Sequence, residues 1–537
     1  MEFQPRRPGA PEEILTEPKQ PSVSRRTLLK VGALGLASAA TLGLVDAVAF
    51  LPKRVADAAP VTAGLPDIQF DIGNYIAPIQ TINNLQFHFG PVFTLFVTAR
   101  LTRTPNKQDQ QVLADALNKI EANYAFSPSG LFTFIAYGLP YFNRLPGKVV
   151  ADNTPHLLSS PKRAVLEEAV PGGTDVSPQN PKITKKTFQV PVVIEANDIL
   201  LSLRSDNMVN VFEVLGWLQG SGILNGNFVA SPDFNGLLTF TSSRLMFVQP
   251  GLPRQLANAS GLAYASKINP TSPMWMGFAD QHVNAAGPAP IVTFAGNSTA
   301  VLSTAKAGDY FDNGSIQHLS HVIEDLNEFY LEKGDEPEDY SERVQYMFSS
   351  RNVNGDIALL YPQDPNDSFT NGGGMNATGT AAQQLQSAYL PNMYYGADAS
   401  LSNFDPELLE KGTKKLRVGH EAALQRSSRA ADGTPLHIRM DGPGFDALDV
   451  PDGSSQPKLQ FSGFFPSAEF FRAMRSNAAA LDLVSREDGG TAASVPRGVQ
   501  PSDAKDNGLE RFITATRRQN FLVPPRRHRA FPLLELS

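Results

Sequence analysis

The sequence predicts an α+β fold built on the ferredoxin-like unit, and three observations lead there. Between residues 85 and 248 the order is strand, helix, strand, then strand, helix, strand, which is the pattern of that unit. Near Asp312 the strand pattern resumes and passes again into a helix. The chain has 537 residues, 42% hydrophobic and 18% charged, enough for two or three domains around a large core.

Residues 59–82 form an extended leader punctuated by Pro and Gly. From Leu85 to Leu101 the chain is apolar and β-rich, a long strand or a hairpin. Asp109 to Tyr124 spaces Val112, Leu113, Ala116, Leu117 and Ile120 at helical intervals, so this stretch is an amphipathic helix. Leu131 to Tyr137 is a short buried strand. Residues 143–185, rich in Pro, Asp and Ser, read as an inserted loop. Strand material returns at Val190–Ile194 and Ile199–Leu203, a helix at Asn207–Leu218, and a strand at Arg244–Val248.

The second half opens with Ser315–Ile323, which alternates apolar and polar residues. His318 and His321 lie three apart. On a helix that spacing could hold a metal; on a strand it sends the rings to opposite faces. The strand reading makes both histidines structural. Residues 351–412 carry little periodicity and stand directly before His420, where they read either as a lid or as a plain surface insertion. Lys458–Phe465 is a strand and Ser467–Val484 a helix with Phe470, Phe471 and Met474 facing inward. Glu487–Asp506 is a disordered polar stretch before a last helix and strand. The tail Arg526-Arg527-His528-Arg529 reads as a solvated charge run.

Charge and composition exclude several functions. The formal net charge is −7, so nucleic acid is an unsuited partner. Cysteine is absent, which removes disulfides, thiolate metal ligands and cysteine nucleophiles together. Gly296-Asn297-Ser298-Thr299-Ala300 has part of a hydrolase nucleophile elbow without its last glycine. Ahead of the leader, Ser24-Arg25-Arg26-Thr27-Leu28-Leu29-Lys30 precedes a moderately apolar run interrupted by Asp46. Paired arginines before such a run read as a twin-arginine export signal, with Ala56-Asp57-Ala58 as its cleavage site. A retained membrane anchor is the other reading. Residues 1–58 carry eight Lys/Arg against six Asp/Glu, so cleavage would leave a mature chain at −9.

Two stretches carry the chemistry. One is Met274-Trp275-Met276-Gly277-Phe278-Ala279-Asp280-Gln281, a carboxylate in an apolar setting. The other runs from His420 to Arg439, Asp441 and Pro443. A neutral imidazole, a fixed guanidinium and a carboxylate in an apolar wall are the groups a haem peroxidase needs. Burial among Trp275, Met276 and Phe278 would raise the Asp280 pKa.

Together these stretches resemble the dye-decolorising (DyP-type) haem peroxidase family. Gly277-Phe278-Ala279-Asp280 matches that family's G-x-x-D-G motif up to its last position, where Gln281 replaces glycine. His420, Arg439 and Pro443 match its proximal histidine, distal arginine and following proline in order and approximate spacing. Residues 313–330 are similar to the strand and helix that open the family's second half, and Phe521-Leu522-Val523-Pro524-Pro525 to its C-terminal strand. The resemblance covers most of residues 80–530.

It implies a duplicated ferredoxin-like fold of the dimeric α+β barrel type, with long loop insertions. The signal would span residues 1–58, the first domain 59–311 and the haem-binding second domain 312–537. It also implies haem b held by His420, with Phe278 and Arg439 beside it. Asp280 and Arg439 would act on hydrogen peroxide, a bulky organic molecule would be the reductant, and the translocase a transient partner. The oligomeric state, a homo-oligomer included, stays open. His437 is the rival ligand; taking it would leave no arginine before Arg472. The alternative function is an exported haem-binding or haem/iron-handling protein with a weakened distal site, which a peroxide assay with a bulky dye would separate.

Overall fold

The computed structural model describes residues 64–76, 80–82, 85–87, 90–158, 160–171, 187–268, 270, 272–276, 289–296, 303–332, 437–479 and 512–537. The first unit begins with strand β1, Phe93–Leu101, and helix α1, Lys107–Asn123. Asn106 caps that helix: its side chain accepts from the amides of Gln108 and Asp109, and the Asp109 carboxylate accepts from the Asn106 amide. Strand β2 (Phe132–Gly138), strand β3 (Ile199–Ser205), helix α2 (Met208–Leu218, capped by Asn207) and strand β4 (Leu238–Phe247) complete it, and helix α3 (Leu252–Ala259) follows.

The second unit has strand β5 (Ser315–Glu324) and helix α4 (Leu326–Leu331). Strands β6 (Ile438–Arg439), β7 (Gly442–Asp446) and β8 (Gln456–Phe465) follow. Helix α5 (Ala468–Ala479) and strand β9 (Ile513–Val523) close it.

All of these strands share one sheet in the order β6-β8-β5-β9-β2-β3-β1-β4, with β7 also on β8. In each unit the spatial order is second, third, first, fourth strand, so the fold is α+β with two ferredoxin-like units. Antiparallel pairing of β9 with β2 joins the units. At the far side β7 comes against β4. A Cβ on Gly442 would lie 2.5 Å from Val248, and one on Gly444 would lie 3.1 Å from the Leu245 carbonyl oxygen. Glycine at these two positions lets the sheet curl shut. Gln317 on β5 then reaches across the interior, its Nε2 donating to Ser202 of β3 at 3.0 Å and to Ser462 of β8 at 3.1 Å.

The pleat sorts two apolar regions. Phe96, Phe134, Leu200, Leu319, Phe464 and Phe521 point inside the barrel. Leu95, Val97, Leu201 and Leu203 face outward under α1 and α2, and Phe461 and Phe465 face outward to Phe470 and Phe471 of α5. The leader belongs to the interior: Ile68, Phe70 and Ile72 join it, and the Phe70 ring stacks on Phe464 at 4.1 Å. Gln69 seals the join, donating to the carbonyls of Ile135 and Pro524 and accepting from the Ile135 amide.

Several expectations need correction. Residues 143–185 are not one loop, because Gly147–Asn153 is helical and Leu157, Val165, Leu166 and Ala169 are buried; their apolar spacing was diluted by prolines. The 85–101 run is two pieces: Leu85–Phe87 pairs with Gln80–Ile82, and β1 starts after Pro91, which has no amide to give a ladder. Strand β4 begins six residues before the expected Arg244, hidden by the exposed Thr239, Thr241 and Ser243. The tail is a clamp rather than a solvated run. Arg526 and Arg529 both pair with Glu121 of α1, Arg527 pairs with Asp67 and Asp312, and His528 stacks on Tyr310. The 351–412 insertion, the stretch 487–506 and residues 1–58 lie outside the described residues. Among the described residues no helix is long and apolar enough to cross a membrane.

Candidate functional site

Short strands β6 and β7 form the rim of the second unit, and β6 carries Arg439. Arg439 stands opposite Gly463 of β8, and His318 of β5 stands opposite the same glycine from the other side. Ile438 points into the barrel beside Phe464, so Arg439 points outward, to the face that α5 partly covers. Burial pulls the Arg439 pKa down, and the nearby charge of Asp441 pulls it up. His437 leaves the same face, 2% exposed, its ring 6.0 Å from both Phe465 and Phe470.

The segment that leads toward Asp280 is fastened to this rim. Trp275 is fully buried, and its indole Nε1 donates to the Gly444 carbonyl of β7 at 3.0 Å. The Tyr330 hydroxyl of α4 donates to the Trp275 carbonyl at 2.7 Å, and the Trp275 ring packs on Phe247 and Phe445. Trp275 is therefore core, as is Trp217, whose Nε1 donates to Val229. Phe278, Asp280, Gln281 and His420 lie outside the described residues, as do Tyr394 and Tyr395. Of the predicted site residues, Arg439 alone is described.

Sequence reasoning missed a residue on this face. Glu324 ends β5, a strand buried at all ten positions. It is 5% exposed, and its Oε2 has no hydrogen-bond partner among the described residues. Burial and the negative charge of Asp441 push its pKa up to about 8. The signal was available: a glutamate closing an otherwise apolar run, Val322-Ile323-Glu324, is a carboxyl that the strand must bury.

His318 and His321 lie on opposite faces of β5, as the strand reading requires. His318 bonds Asn520 through Nδ1 and Ser320 through Nε2, and it stacks on Phe471. With both nitrogens engaged it is a structural residue, and burial holds its pKa well below the usual value. His321 points into the barrel and bonds Thr516 at 2.8 Å and Asp446 at 3.2 Å. Around it, Arg517 grips Asp449 through two 2.7 Å bonds, Arg244 meets Glu195 at 2.5 Å, and Lys458 lies 3.7 Å from Asp446. Burial lowers the Lys458 pKa to about 8 against the pull of Asp446 and Asp449. Three cations face three carboxylates here, so the network compensates itself and offers no excess charge to a ligand. Among the described residues no group of three or more His, Asp or Glu converges as a metal site.

A family model described as a family of unknown function (DUF7405) matches residues 91–358. No curated protein matches the chain. Solved structures similar to it are DyP-type peroxidases. One from Cellulomonas bogoriensis is 12% identical, covering 81% of this chain and 90% of its own, with a TM-score of 0.43. The encapsulated DyP-type peroxidase of Mycobacterium smegmatis is 14% identical, covering 86% and 98%, with a TM-score of 0.39. A Rhodococcus jostii DypB variant in complex with haem is 12% identical, covering 82% and 96%, with a TM-score of 0.40.

Proposed function

We propose that this chain is an exported, haem-dependent peroxidase that reduces hydrogen peroxide at the expense of a bulky organic donor. One observation carries the reading: the Trp275–Gly444 bond ties the segment bearing Asp280 to the strand segment bearing Arg439. Asp280 stands five positions after Trp275 and Arg439 five positions before Gly444, so each run reaches at most ~17 Å. That bound is compatible with the pairing of Asp280 and Arg439 that the sequence resemblance implies.

The residues suit haem by their chemistry. With no cysteine in the chain, histidine is the natural axial donor, and a buried arginine on an aromatic face suits an anionic ligand. His420 would hold the iron, and Phe278 would lie beside the ring. His437 is the poorer choice, because it leaves β6 on the same side as Arg439, and two residues along a strand lie only about 6.6 Å apart. That spacing suits His437 and Arg439 to one shared face, so His420 would hold the group and Arg439 would serve the peroxide. Haem, when bound, supplies the iron that cleaves peroxide and the redox capacity to oxidise a donor. Asp280 takes the proton from one peroxide oxygen and returns it to the other. Arg439 stabilises the negative charge growing on the leaving oxygen.

The mature protein would begin after Ala58, the translocase being its partner in export. The test starts with a visible spectrum of the purified protein. His420→Ala should lose stoichiometric haem. Arg439→Leu should keep haem and slow peroxide cleavage by about 10²–10³, the cost of one preorganised donor. Equal second-order constants for Arg439→Leu and a brisk wild type would remove Arg439 from the mechanism. A wild type that binds haem but reacts sluggishly would favour the second reading, a haem-binding protein whose distal site Gln281 has weakened.

A further inference from the structure

A strap from the first unit crosses onto the helix that partly covers the Arg439 face. Between β2 and β3, residues 155–158 and 160–167 fold back on each other: the Val165 amide donates to the Pro155 carbonyl at 3.0 Å, and the Leu157 amide to the Arg163 carbonyl at 2.9 Å. Leu157, Val165 and Leu166 root this turn in the core that also holds α1 and α2. From there the strap reaches α5 of the second unit. The Val165 carbonyl accepts at 2.8 Å from the amide of Ala468, the first residue of α5, a group with no partner inside its own helix. Arg163 grips Glu167 through two 2.7 Å bonds and turns its remaining nitrogen to Glu469 of α5 at 3.0 Å. Arg472, one turn along that helix, lies 3.7 Å from both Glu167 and Glu469. Two guanidiniums and two carboxylates thus interlock between the units. The strap also touches the floor beneath α5. The Glu167 carbonyl accepts from Asn520 of β9 at 2.8 Å, the Asn520 side-chain oxygen meets His318 at 2.7 Å, and the His318 ring stacks on Phe471 at 3.4 Å. Phe470, the neighbour of Phe471, lies 6.0 Å from His437, which leaves the sheet on the Arg439 side.

The two kinds of contact differ in how easily they part. Phe470 and Phe471 are buried under α5, whereas the charged side chains at its N-terminal end are between 17% and 45% exposed, so water competes for their bonds. We infer that the strap is a latch: closed, it holds α5 down on the floor beside Arg439, and open, it lets α5 lift and bare that floor to a flat aromatic ligand. Phe470 and Phe471 then give up the surface on which such a ligand would lie. Access to the face of the second unit is thereby tied to a segment of the first. Only the identity of the ligand rests on the peroxidase reading, under which it would be haem.

Amide hydrogen exchange of the full chain reads the latch directly. Arg163→Gln removes the guanidinium that joins Glu167 to Glu469. The amides of α5 should then exchange about five- to tenfold faster, the scale of a partly exposed network of charged hydrogen bonds, while those of β2 and β3 keep wild-type rates. Glu469→Gln, which leaves the Arg163–Glu167 grip intact, should loosen α5 in the same way, and the double variant should exceed neither single by much. Unchanged exchange in α5, an increase spread equally over β2 and β3, or single effects that simply add would each overturn the latch. Haemin is the probe for access. It should enter haem-free Arg163→Gln faster than haem-free wild type by a similar factor and reach the same final spectrum. Equal entry rates alongside a loosened α5 would overturn α5 as the cover of the site. A wild type that takes up no haemin ends the peroxidase reading, while the exchange rates still decide the latch.

Discussion

His318 illustrates how a single side chain can be fixed by what surrounds it. Both of its nitrogens are bonded, a phenyl ring covers it, and burial together with the charges of Arg518 and Arg475 disfavours its protonated form. Its folded pKa lies below the unfolded value of about 6.5, so its contribution to stability is present above that pH and lost as pH falls through the folded pKa. His318→Gln should therefore be less stable than wild type at pH 7, with the deficit shrinking toward pH 5. Melting temperatures of the two proteins across that range check this, and a deficit independent of pH would mean the imidazole is not held neutral. Residue roles were legible in the sequence where a neighbour's type implied them: the opposite faces of His318 and His321 followed from strand spacing alone. Glu324 was not legible in that way. Its environment comes from Asp441, 117 positions away in the chain, and no local pattern contains that proximity.

At the scale of elements, helices α1, α2 and α5 and strands β1, β2, β3 and β8 were readable from their apolar spacing, and β5 from its alternation of apolar and polar residues. What escaped was of a different kind. Polar residues on the exposed side of β4 masked its first turns of pleat, and the Arg526–Arg529 run gave no hint that its charges had partners on a helix some 400 residues earlier. Those partners make a sharp prediction. Glu121 is 10% exposed and accepts from both Arg526, 11% exposed, and Arg529, 8% exposed. Replacing it with Gln would leave two buried guanidiniums facing each other. Breaking a buried pair typically costs about 3–5 kcal/mol. Urea unfolding of Glu121→Gln should show a loss of that order. A loss under about 1 kcal/mol would mean that Asn118, which also receives Arg529, and the Pro66 carbonyl, which receives Arg526, carry the clamp instead.

For the whole molecule, the leader does the work of a stopper. Phe70 lies 5% exposed inside the barrel, stacked on Phe464. Phe70→Ala should cost about 3–5 kcal/mol, as large aromatic truncations in a packed core do. Thermal or urea unfolding would measure it, and a change under about 1 kcal/mol would show that the ring is not part of that core.

The same stopper sets a clock on folding. Gln69 bonds the carbonyl of Pro524, 455 positions farther along the chain. At ribosomal speeds of about 5–20 residues per second, Gln69 emerges roughly 20–90 s before its partner exists. For much of that interval β2 has been made without its neighbour β9 and β4 without its cover β7, so both borders of the first unit stand open. Contacts this distant also make for slow closure once synthesis ends. The newborn chain thus passes through a long adolescence as a half-barrel with two bare rims, exposed strand edges being where a growing chain pairs wrongly.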